Sequence, residues 1–94
     1  MGTFHSDKGE LHGITVVVDT DGDKIWVGRC DTYTDTQIVL LDADVHEEGA
    51  DGKTKQQFVQ QVAQMGHWNR HAHVVIPREQ ITQVKRLGEV TAEQ

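Results

Sequence analysis

The spacing of apolar residues changes along this chain, and each change of period marks an element. Ile14-Thr15-Val16-Val17-Val18 is β-branched throughout and predicts a strand over about 14–19. Ile25, Trp26 and Val27 open a second, over about 24–31. Between them stands Asp19-Thr20-Asp21-Gly22-Asp23, and its Asp-Gly pair suits a type I′ hairpin turn. With Asp21 and Gly22 central, Val18 faces Ile25, Val17 faces Trp26 and Val16 faces Val27. That register predicts one apolar face made of Ile14, Val16, Val18, Ile25 and Val27. A calcium loop is the competing reading of these carboxylates, and its spacing fails. Counted from Asp19, the glycine falls fourth where an EF-hand needs it sixth, and Cys30 stands where the twelfth-position glutamate belongs.

Thr32 to Thr36 reads as a polar connection, and Gln37 to Val45 as a third strand with a nearly continuous apolar centre. His46 to Gly52 is a loop by composition. Lys53 to Met65 has the helical period, with Phe58, Val62 and Met65 on one face, Val59 and Ala63 alongside, and Gly66 placed to end it. His71 to Ile76 is a fourth strand, which Pro77 stops. Arg78-Glu79-Gln80 makes a one-turn corner, and Ile81 and Val84 begin a short fifth strand. The order β-β-β-α-β-β predicts a mainly β domain: a small, strongly bent, five-stranded antiparallel barrel with one inserted helix. A single domain then spans 1–94, with an arm over 1–12, strands 1–3 over 13–45, the loop and helix over 46–66, strands 4–5 over 67–87 and a tail over 88–94.

Charge narrows the functions. A formal net charge of −6 opposes broad adhesion to nucleic acid or anionic lipid, while leaving room for a local basic site. The one cysteine, Cys30, excludes an intrachain disulfide framework. No apolar run approaches the length of a membrane span, so a soluble protein of the reducing cytoplasm, with no membrane partner, is expected. No nucleophile elbow, Ser/His/Asp order or phosphate-binding glycine loop is present, so neither an enzyme nor a cofactor is expected. A five-strand barrel that does not seal leaves two edges, which a soluble chain must cover. Pairing of the fourth strand with the fifth of another copy is a heterologous contact, and it stays soluble only when the rotation closes.

His73 to Val84, "HVVIPREQITQV", resembles the second signature of the Sm-like proteins, the Sm, LSm and Hfq ring family. Ile76, Ile81 and Val84 keep its apolar spacing, and Pro77-Arg78 stand where Arg-Gly is usual. The first signature is matched by Ile14–Asp19, Gly22, Gly28, "DTYTD" and "IVLLDAD", with Asp35 replacing the customary asparagine. The segment from His46 to Arg70 falls in the family's variable loop. The resemblance implies a homo-oligomeric ring of about five to seven subunits, binding single-stranded RNA or DNA through loops around its pore.

Carried over residue by residue, the resemblance makes Tyr33 the base-stacking group. Asp35 becomes an acceptor for exocyclic amines, Asp31 the loop's first aspartate, and Arg78 the phosphate or stacking contact. The competing reading of Tyr33 is a half-buried loop aromatic. A second concentration of chemistry lies in Trp68, Arg70, His71 and His73. The two histidines, at spacing two on a strand, face one side. Three readings stay open for them: a pair of metal ligands, an outer nucleic-acid surface with Trp68 and Arg70, or plain solvent-facing residues. The rival to nucleic-acid binding is a structural or protein-interaction module that keeps the ring alone.

Overall fold

The protein is described by a computed structural model covering residues 11–90. Its elements are β1 (Thr15–Thr20), β2 (Lys24–Tyr33), β3 (Gln37–Glu47), α1 (Lys55–Met65), β4 (His71–Pro77), β5 (Ile81–Arg86) and a helical turn α2 (Leu87–Val90). Short 3-10 turns occupy Ala50–Gly52 and Arg78–Gln80. The five strands form one antiparallel sheet in the order β4-β3-β2-β1-β5. Four inter-strand steps of about 4.8 Å separate β4 from β5 across such a sheet, or roughly 19 Å laid flat. The 3-10 turn that joins them rises only ~2 Å per residue and cannot span that. The sheet therefore curls until its two ends meet at Arg78–Gln80, held by Asp21 N–H to Gln80 O (2.9 Å) and Arg78 N–H to Thr36 O (2.9 Å). It is curled but not closed, since β4 and β5 do not pair with each other.

Two irregularities between β2 and β3 make the bend. Val27 pairs with Asp44 and Arg29 with Leu41, so Gly28 alone faces Asp42 and Ala43. Asp42 takes the left-handed conformation of such a bulge (φ 52°). A Cβ on Gly28 would lie 2.9 Å from Ala43 Cβ, so the strands touch here only because residue 28 is glycine. Next, Cys30 pairs with Leu40 but Thr32 with Val39, which leaves Asp31 as an extra residue in β2.

Both faces of the curled sheet are covered. Val16, Val18, Cys30, Ile38, Leu40, Ala43 and Ile76 pack on the concave side. Val17, Ile25 and Val27 pack beneath α1 and α2, against Phe58, Val59, Val62 and Val90. This corrects the hairpin expected from the sequence. Val17 pairs with Val27 and Val18 with Trp26, one residue out of the expected register. Ile25 and Val27 therefore join Val17, while Trp26 joins Val16 and Val18. The turn is not type I′, because neither Asp21 nor Gly22 has positive φ. Instead Asp21-Gly22-Asp23 bridges Thr20 and Lys24, with Thr20 Oγ1 donating to Lys24 O at 2.5 Å.

α1 begins two residues later than its apolar period suggested, because Thr54 caps it. The Thr54 side chain accepts from Gln57 N–H (3.1 Å), and Gln57 Oε1 accepts from Thr54 N–H (2.8 Å). Gly66, at φ 87°, ends it. Met65, expected on the buried face, is 75 % exposed, and Val59 is buried in its place. Lys55 ties the helix to the first hairpin through its ammonium, which donates to Asp19 Oδ1 (2.8 Å), Gly22 O (2.7 Å) and Thr20 O (3.2 Å). The expected tail over 88–94 begins instead as α2, whose Val90 is buried. Residues 91–94, and 1–10 of the expected arm, lie outside the described residues.

Candidate nucleic-acid interface

The curl brings two distant connections to one end of the sheet. Tyr33, placed in a loop by its polar neighbours, is instead the last residue of β2 and pairs with Ile38. Its β-propensity and contact with the concave core extend the strand through it. Thr34 organises the turn that follows. Its hydroxyl accepts from Thr36 N–H and Gln37 N–H (both 3.3 Å), and its own N–H donates to Gln37 O (2.9 Å). Arg78 arrives from the β4–β5 corner, and its Nη1 donates to Thr34 O at 2.9 Å. Its guanidinium carbon sits 4.5 Å from the centre of the Tyr33 ring, a cation–π contact.

Tyr33 and Arg78 thus form one unit in which the guanidinium covers the ring. Arg78 is exposed, and a guanidinium so placed can stack on a base or bridge a phosphate. Asp35 is exposed at the tip of the β2–β3 turn. Asp31 lies farther back as the extra residue of β2, half-buried, with Thr32 Oγ1 donating to its Oδ2 (3.2 Å). Its carboxylate also acts on Cys30. Burial first, and the Asp31 charge second, push that thiol up to about 11.

The second set of residues lies elsewhere. Arg78 follows the end of β4, which lies ~20 Å from His71 and ~13 Å from His73 at about 3.3 Å per residue. His71 and His73 are exposed and share one side of β4, whose pairing with β3 is regular. The His71 ring meets Trp26 edge-on, 5.6 Å between centroids. The sequence marks Trp26 only as a strand residue, and nothing in its alternation points to this contact. Arg70 Nε lies 3.9 Å from Oδ1 of the buried Asp44, beyond hydrogen-bond range. Trp68 is 69 % exposed.

Between the first hairpin and β4 a groove of about 410 Å³ opens over Trp26, Val75, Ile76 and Pro77, where the sheet fails to close. Among the described residues, no three His, Cys, Asp or Glu side chains converge as a metal site. Among the same residues, no helix is long and apolar enough to cross a membrane.

No family model matches the chain, and no curated protein sequence matches it. Among solved structures, a chain in "Crystal structure of the NatC complex bound to CoA" is similar, with a TM-score of 0.58 at 16 % identity. The match covers 99 % of this chain and 97 % of that one. At that identity the likeness is one of fold, and it runs through the whole domain.

Proposed function

We propose that this chain is a non-enzymatic Sm-like subunit. It is a small bent barrel that pairs edge to edge with copies of itself in a ring of about five to seven, and it binds single-stranded RNA, or DNA, at the Tyr33–Arg78 end. The observation that carries the reading is the pair of open edges. β4 and β5 end the sheet order with seven and six residues, close enough in length to complete each other between copies. Exposed edges template further pairing unless they are covered, and Val75 on β4 is 46 % exposed. The nucleic-acid half of the proposal is supported by Arg78, an exposed arginine whose guanidinium is backed by an aromatic ring at the corner between these edges.

A second reading keeps the ring and drops the nucleic acid. Asp35 in the β2–β3 turn and Glu79 next to Arg78 in the β4–β5 corner are exposed, and the net charge is −6. Carboxylates there oppose phosphate.

Light scattering and fluorescence anisotropy on one sample separate the readings. The expected mass is a five- to seven-fold multiple of 10.6 kDa. Short A-, U- and C-rich oligonucleotides bind at low salt, with affinity falling as salt rises. Arg78→Ala weakens that binding and leaves the mass unchanged. A monomer refutes the ring. A ring without affinity at low salt leaves the second reading.

A further inference from the structure

Residues 66–78 contain Trp68, Arg70, Arg78 and the histidines 67, 71 and 73, and no carboxylate, in a chain of net charge −6. The structure displays most of this chemistry on the surface. Trp68 is 69 % exposed and has no ring partner among the described residues. The Arg70 side chain is 66 % exposed, and His71 and His73 lie exposed along one side of β4. The carboxylates opposite this part of β4 are both already engaged. Asp42 pairs with Arg29 (3.3 Å), while Asp44 is buried, accepts from Val45 N–H (2.9 Å) and faces Arg70 Nε at 3.9 Å, which leaves the rest of the exposed Arg70 guanidinium to solvent. An exposed indole in a carboxylate-free stretch that also carries Arg70 and three histidines is complementary to a polyanion that carries flat rings.

We infer that Trp68, Arg70, His71 and His73 form a second contact for single-stranded nucleic acid, in which Trp68 stacks on an unpaired base and Arg70 and the histidines meet phosphate. The inference rests on the choice of nucleic acid made above. It is independent of the ring and of the Tyr33–Arg78 end, which lies beyond the far end of β4, ~13 Å from His73 and ~20 Å from His71. The contact between the His71 and Trp26 rings fixes one edge of the strip, so the strip is partly preformed.

The chain's two tryptophans make the test direct. Trp26→Phe leaves Trp68 as the sole indole, and an unlabelled oligo-dT is titrated against its emission at low salt. The expected result is saturable quenching that salt reverses, persisting in a background of Arg78→Ala. In the otherwise unaltered chain, Trp68→Ala lowers the affinity for labelled oligo-dT about fivefold or more, the scale of one lost base–aromatic stack. This second measurement stands even if Trp26→Phe fails to fold, because Trp68 is exposed. Binding that leaves Trp68 unquenched and is unchanged by Trp68→Ala overturns the inference while sparing the Tyr33–Arg78 site. No binding by any variant overturns both. Equal quenching by poly-glutamate would assign the strip to an acidic protein. A drop in assembly mass in Trp68→Ala would assign it to contact between copies. Either result overturns the inference.

Discussion

Gly28→Ala isolates the contact that bends the sheet. At an ordinary strand position with negative φ, alanine in place of glycine stabilises by about 0.4–1 kcal/mol, because the unfolded chain has less freedom to lose. Gly28 lacks positive φ, so that gain applies in full. Against it stand three contacts of the added methyl: 2.9 Å to Ala43 Cβ, 3.1 Å to Ala43 Cα and 3.2 Å to Leu40 Cβ. None of these atoms is the end of a flexible side chain, so relief requires β2 and β3 to part at the bulge. Overpacking of this kind costs about 1–3 kcal/mol. The net expectation is a loss centred near ~1 kcal/mol and no larger than about 2.6, which at the centre is a melting temperature lower by ~4–8 °C in a domain of this size. Urea denaturation measures it. Ala43→Gly removes the shortest contact, so the double variant loses less than the sum of the singles, a coupling of about 0.5 kcal/mol or more. A midpoint for Gly28→Ala at or above that of the parent chain would refute the close approach, and with it the account of the curl.

Two further substitutions probe what holds the elements together. Lys55→Met keeps the aliphatic stem and removes the ammonium shared by Asp19 Oδ1, Gly22 O and Thr20 O. Asp19 is about one-third exposed and rehydrates in part, so the expected loss is about 1–3 kcal/mol in urea denaturation, and an unchanged midpoint counts against the tether. Cys30 holds its proton up to about pH 11 when folded, above the ordinary value of 9.0 for a free thiol. Between those values the unfolded state releases the proton first, so this part of the stability is intact below pH 9 and declines as pH rises towards 11. Cys30→Ala flattens that decline relative to the parent chain, and identical slopes refute it. The buried thiol also reacts with alkylating reagents at pH 8 only at the rate of unfolding.

The sequence discloses the elements more readily than their pairing. The succession of elements along the chain, the inserted helix and the end of β4 at Pro77 follow from β-branching, a helical period and the chemistry of proline, all local properties. The register of the first hairpin does not. Val16-Val17-Val18 is apolar at every position because both sides of β1 are buried, Val16 and Val18 in the concavity and Val17 beneath α1. Without alternation, pairing was inferred from Asp-Gly alone. That local preference yields to Lys55, more than 30 residues away, which binds the carbonyls of Thr20 and Gly22. Tyr33 shows the same limit. Its polar neighbours suggested a loop, while contact with the concave core and pairing with Ile38 draw it into β2. Its junction with Arg78 spans 44 intervening residues and exists only once the sheet has curled.

That curl links the fold to the proposed function. The 3-10 connection between β4 and β5 is too short for a flat sheet, and the bulges at Gly28 and Asp31 supply the bend that it demands. Bending carries the β2–β3 turn to the corner, where the Thr34 carbonyl receives Arg78. The same geometry prevents self-satisfaction, because the ends meet at a corner and do not run alongside each other as a ladder. A tighter curl that paired β4 with β5 would close the opening over Trp26 and remove the edges through which copies are proposed to join. A looser one would separate Tyr33 from Arg78. The proposed assembly and the candidate binding end therefore depend on one degree of bending, and substitutions at Gly28 should disturb both together while those at Arg78 disturb only the second.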